Sequence, residues 1–276
     1  MRILVIARLT FKEASRRKIA LTAILMGAGV LVLYNIGFRV LLNQLLEAEW
    51  KAIGRQFTNG VQLSGLYCVY FLMIILSALV SADSLAGEIS SGAIQNLAAK
   101  PLRRCEIVLG KWLGFAGLLA IYLVIMGGGI ILSGMVQADF ATPNLLKGLA
   151  LMYLGSLVVM STTLAWSAGT STLATGGAVI GLYGIAFIGG WVEQFGAILQ
   201  NDTAVEIGII SSFFLPTEAL WRRASFEMTG PALRVFSGLT PFSAVSVPSD
   251  ALIIYAFLFL FAALGVGIYI FSRRDL

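Results

Sequence analysis

Apolar positions in this chain form long unbroken runs, with none of the period-two alternation that marks a barrel strand. A bilayer core of about 30 Å takes roughly 20 apolar residues in a helix. On that ruler the pattern predicts six transmembrane helices, at 19–42, 61–82, 112–136, 149–168, 173–191 and 251–271. The fold class expected is an all-α integral membrane protein, with one transmembrane unit over 1–276. The run at 204–215 is apolar but short, holds Glu206 and stops at Pro216. Extending it to Trp221 would take Glu206 and Glu218 into lipid, at a few kcal/mol each. A re-entrant or interfacial helix is the cheaper reading.

Polar residues become regular only before the first span. Over residues 3–18, Ile3, Ala7, Phe11 and Ala14 share one helical face, and Arg8, Lys12 and Arg16 recur every four residues on another. This predicts an amphipathic helix lying in the membrane interface, its cations near anionic headgroups. The apolar run that follows is too long for a signal-peptide core and is read as a retained span.

Composition agrees with the pattern: 58% of the 276 residues are hydrophobic and 12% charged, against about 25% charged in soluble domains. The net charge of +5 is unevenly placed. Twelve of the 19 basic residues fall on the face that holds both ends of the chain and the loop between spans two and three, with five of the 14 acids. The positive-inside rule then puts N- and C-termini in the cytoplasm of a cell-membrane protein, and the charge is a topology signal rather than a nucleic-acid footprint. The absence of histidine excludes Ser-His and Cys-His catalysis and histidine-ligated metal. Cys68 and Cys105 make no metal-ligand spacing. No catalytic residue and no metal site is expected.

The loop between spans two and three has stop-start chemistry. Ser91-Gly92 breaks the helix descending from span two, residues 93–99 form a short helix with Ile94 and Leu97 as its apolar contacts, and Lys100-Pro101 stops it. A new helix starts near Leu102 and rises into span three. A short transverse helix of this kind suits docking into a groove on a cytosolic partner. Glu88 is expected at a helix end or paired with Arg103 or Arg104.

These residues resemble the permease subunits of ABC-2 type transporters, the group that includes the nitrous-oxide-reductase maturation permease. The resemblance rests on Gly87-Glu88, Ser91-Gly92, Ile94 and Leu97, Lys100-Pro101, Arg103-Arg104, Ile107 and Gly110-Lys111, and on the chain's length, six spans and basic N-terminal helix. It departs at Ile89-Ser90, where the family often carries a second acid, and at Ala98-Ala99 in place of leucines. The resemblance implies one permease domain over 1–276 and a coupling helix near 88–101 docked on a separate ATP-hydrolysing subunit. It also implies a second permease copy and an export function. ATP and Mg would sit on the partner, with no cofactor on this chain. It further implies short helices between spans five and six acting as an external gate. Residues 216–223 fit that place: Pro216 starts a helix, Glu218 lies in its first turn, and Trp221 and Arg222 suit headgroup depth.

The chain has no ATP-binding loop of its own, since its only Gly-Lys, Gly110-Lys111, has Cys105 where the first loop glycine belongs and Trp112 after it. The alternative is a carrier or channel independent of ATP, which would call for charges at mid-span and inverted repeats; neither is found. An intramembrane enzyme would call for a nucleophile motif or clustered carboxylates, also missing. The glycines at 127–129, 177, 181, 189 and 190, and the hydroxyls from Ser156 to Thr175, read chiefly as helix-packing residues.

Overall fold

The computed structural model describes residues 2–16, 18–47, 51–90, 103–236 and 242–274. Its helices are α1 (Arg2–Arg16), α2 (Lys18–Glu47), α3 (Lys51–Ser90), α4 (Arg104–Ala138), α5 (Leu145–Ser167), α6 (Thr172–Ile198), α7 (Asp202–Phe214), α8 (Thr217–Glu227) and α9 (Ala251–Arg273), with a 3-10 turn at Pro231–Phe236. No strand occurs among the described residues. Six helices are long and apolar enough to cross a membrane, and each covers the span expected at its place in the sequence, the fourth to within one residue. Several run further than the apolar count. The 40 residues of α3 extend over about 60 Å at 1.5 Å per residue, twice the thickness of a bilayer core.

The core is built on α3 and α5. Some 78% of the apolar window of α5 and 67% of that of α3 is buried, against 11% for α2 and 22% for α9. The outer helices therefore present Leu25, Leu33, Ile36, Leu258 and Phe261 outward, as a lipid-facing surface requires. Where helices meet, glycine often receives a neighbour: the Tyr34 ring of α2 lies against Gly65 of α3, and the Tyr70 ring of α3 against Gly155 of α5. Polar staples accompany these contacts. Ser133 Oγ and Gln137 Nε2 of α4 both donate to Asn35 Oδ1 of α2, at 2.7 and 2.9 Å. Trp112 Nε1 donates to Ser161 Oγ at 2.9 Å, and the Leu85 and Ala86 amides of α3 donate to Ser167 Oγ. In span four the hydroxyls of Ser161, Thr162 and Thr163 are buried and donate to carbonyls four residues back in their own helix.

The N-terminal helix forms over the expected residues but lies against protein. Its Ile6, Thr10 and Ala14 side packs along the start of α4. Gly110 and Gly114 make that possible. A Cβ at Gly110 would stand 2.6 Å from Ile6, and one at Gly114 would stand 2.7 Å from the Ala7 carbonyl oxygen. Arg8, Lys12 and Arg16 remain exposed on the opposite side. Gly114→Leu should therefore push α1 off α4 and cost about 1–3 kcal/mol, the usual range for overpacking a closed contact. A cysteine placed at the buried Thr10 position reads this out: maleimide should label it quickly in the leucine variant and slowly in the parent.

Candidate functional site

Two polar clusters stand along α3, one at its end and one near its middle. The first joins the end of α3 to the starts of α4 and α1. Lys111 is 5% exposed, and its ammonium donates to the Ser84 carbonyl at 2.9 Å and meets Glu88 Oε1 at 2.5 Å. For Glu88 this is a partner that the sequence reading does not name. Arg103 stands just before α4, where its amide donates to Glu106 Oε2 at 2.9 Å, the reciprocal half of a capping box, with the carboxylate at the positive end of the helix dipole. Arg104 donates to the Phe271 and Ser272 carbonyls at 3.2 and 2.9 Å, tying the start of α4 to the end of α9. Ser91, Gly92, Ile94, Leu97, Lys100 and Pro101, and with them the expected transverse helix, lie outside the described residues.

The second cluster lies around α8. Pro216, which has no amide hydrogen to lose, stands as the cap of this helix. The pair α7 and α8 is bent by 110° at the break between them. The sequence favours a place for α8 at the membrane surface, yet the helix is enclosed by protein. Glu218, Trp221 and Arg222 are each at most 5% exposed. The correction has a physical cause: α3 and α6 supply the polar partners that make burial affordable. Tyr67 Oη donates to Glu218 Oε2 at 3.0 Å, and Tyr183 Oη donates to Oε1 at 3.2 Å. Arg222 Nη2 meets Glu193 Oε2 at 2.6 Å, and its Nη1 donates to the Gly190 carbonyl at 3.2 Å. Trp221 does not face headgroups: its ring packs between Tyr67 and Tyr70, with centroids at 5.0 and 5.8 Å. Tyr70 Oη reaches the Thr217 carbonyl at 2.8 Å.

Burial pushes the Glu218 carboxyl up to about 7, opposed by hydrogen bonds from Tyr67 and Tyr183 and by the Arg222 charge. Burial likewise pulls Arg222 down from the usual guanidinium value, with the Glu193 and Glu218 carboxylates opposing. A cavity of about 20 Å³ beside Tyr67, Gln194 and Glu218 has room for roughly one water. Nothing in this arrangement presents an activated nucleophile. It is a polar plug holding α8 inside the bundle.

A profile of the ABC-2 family transporter proteins matches residues 4–276. The chain belongs to this family. It is therefore a multi-pass membrane protein of the transporter class, and the family match does not single out the maturation-permease group. No curated protein matches the sequence.

In this ABC-2 family member the residues singled out in the sequence fall into groups at separate places in the bundle. Pro216, Glu218, Trp221 and Arg222 share one short helix with one set of partners. Glu88, Arg103 and Arg104 flank the undescribed loop, joined through Lys111 and α9. Phe11 is half-buried, with Gly117 of α4 close by, while Arg8, Lys12 and Arg16 form an exposed basic stripe. The sequence reading left Glu193, Tyr67 and Tyr183 out of the α8 site. Each sits on a long apolar helix, and only the opposite charge of Arg222 hinted that Glu193 needed a partner.

Proposed function

We propose that the chain is the membrane-spanning permease subunit of an ABC-2 exporter, driven by a separate ATP-binding-cassette ATPase that carries ATP and Mg. Residues near 88–101 form the coupling helix on which the ATPase docks, facing the cytoplasm with both termini of the chain, in the cell membrane. The observation that supports this best is the joint beside that segment. Lys111 clamps the last turns of α3 to α4, Gly110 and Gly114 bring α1 against the same stretch of α4, and Arg104 ties in α9. A push delivered between α3 and α4 therefore moves three membrane helices and α1 together, which is how packed elements pass on a rigid-body displacement. Arg8, Lys12 and Arg16 hold α1 to anionic headgroups on that side.

At the second cluster, α8 is the external gate, held shut by Tyr67, Tyr183 and Glu193 around Glu218 and Arg222. A second permease copy completes the transporter. Support comes from α6, where a Cβ at Gly177, Gly181 or Gly184 would meet nothing within 4 Å, a bare small-residue stripe of the kind helices use to approach one another in lipid.

The test is co-purification with the cognate ATPase and assay of its turnover. Leu97→Asp should leave the permease folded, because the change falls between spans, and should lower ATPase capture and permease-stimulated hydrolysis by about tenfold, as loss of a central apolar anchor does. A permease that captures no ATPase, or whose captured ATPase ignores Leu97→Asp, overturns the reading.

A further inference from the structure

Between α7, α8 and the start of α9 lies a cleft of about 390 Å³. Sites that hold a small organic ligand run from roughly 300 to 1,000 Å³. The walls are apolar: Ile209 and Phe213 from α7, Leu252 and Tyr255 from α9. Phe213 is 58% exposed and Ile209 44%, so the mouth opens sideways onto the apolar flank of the bundle. Tyr255 Oη donates to the Phe213 carbonyl at 2.6 Å and the two rings meet edge to face at 5.7 Å, which fixes the shape of the mouth.

The inner wall is polar. Glu193 and Arg222 line it as an ion pair, and Ser246 Oγ donates to Glu193 Oε1 at 2.7 Å. Arg222 is 5% exposed, yet its Nε–H has no acceptor among the described residues. A buried donor left unmade costs more than a hydrogen bond gains, so an acceptor brought by a ligand is favoured there. The charge balance says what kind of acceptor. Glu193 already offsets Arg222, and the nearby Arg223 is held by Asp250 at 2.6 Å and Glu227 at 3.0 Å. An anionic head finds no spare cation, and a cationic head would have to displace Arg222 from Glu193. An uncharged head with hydroxyl or carbonyl oxygens meets both conditions.

We propose that this cleft binds a neutral single-chain amphiphile of the monoacylglycerol type. Its oxygen-bearing head lies against Arg222 and Ser246, and its tail leaves past Ile209 and Phe213 into the lipid. The site belongs to this chain alone and does not depend on an ATPase.

The experiment uses the full chain in phosphatidylcholine nanodiscs and a monoacylglycerol carrying a diazirine in its tail, with adducts mapped by mass spectrometry. Adducts should concentrate on residues 209–213 and 252–255 and fall when unlabelled monooleoylglycerol is added in excess. They should weaken by about tenfold in Ser249→Trp and in Val247→Trp, which fill the cleft from exposed positions at its rim. Fatty-acid and fatty-amine versions of the probe should label these segments about tenfold less, because a charged head is left unpaired there. Adducts spread over α2 and over residues 257–271 of α9 that ignore competitor and both tryptophans overturn the site. Equal labelling by all three probes overturns the assignment of the head.

Discussion

Arg222→Met is expected to destabilise the protein by about 3–5 kcal/mol, because it leaves the Glu193 carboxylate, 2% exposed, without its cation. The guanidinium also holds the Gly190 carbonyl and lies within the field of Glu218, so its loss touches both α6 and α8. The midpoint of thermal unfolding in detergent should fall accordingly. Removing both charges is a different matter, since a buried pair replaced by neutral groups of similar volume is often no worse than the pair. The double variant Glu193→Gln with Arg222→Met should therefore recover most of the loss. Equal destabilisation of the single and double variants would mean that packing, not charge, holds α8 in place.

Glu88→Gln is the second large effect. Lys111 is nearly inaccessible, and neutralising Glu88 removes the counter-charge of its ammonium and leaves it facing neutral oxygens. Glu88 itself is 18% exposed, so the cost should fall toward the lower end of about 3–5 kcal/mol. Lys111→Met should cost less than Glu88→Gln, because the Glu88 side chain is 18% exposed against 6% for Lys111. Denaturant titration of the two variants side by side checks the order, and the reverse order would show that the pair is more open to solvent than the geometry implies.

The six spans were legible because apolar run length is a local property, and nothing distant needs to be known to count it. The break at Pro216 and the start of α8 were legible for the same reason. The place of α8 was not. Reasoning from the cost of burying Glu206 and Glu218 favours a re-entrant or interfacial helix, and the headgroup depth expected of Trp221 assumes a helix without polar partners. The partners come from afar: Tyr67 lies 151 residues from Glu218, and Glu193 lies on α6 in an otherwise apolar stretch. The glycines show the same limit. Gly189 and Gly190 are pressed against Ser211 and Glu218, whereas Gly177 and Gly181 face open space, and their spacing along the chain does not separate the two kinds. The Gly110-Lys111 pair was legible as part of a family pattern. Its reason became visible only with α1 and α3 in place, since the glycine admits one helix and the lysine clamps the other.

The seat of α1 on α4 also carries a timetable. Gly114 follows Arg16 by 98 residues, and chains grow at about 5–20 residues per second, so α1 exists for on the order of 5–20 s before its groove has been made. Through that interval Ile6, Ala7 and Phe11 need some other apolar surface, which a membrane headgroup boundary can supply. Its basic stripe then serves as a mooring during synthesis as well as a contact afterwards. A surface helix before α4 is made and a docked helix after it would then be two ages of the same segment.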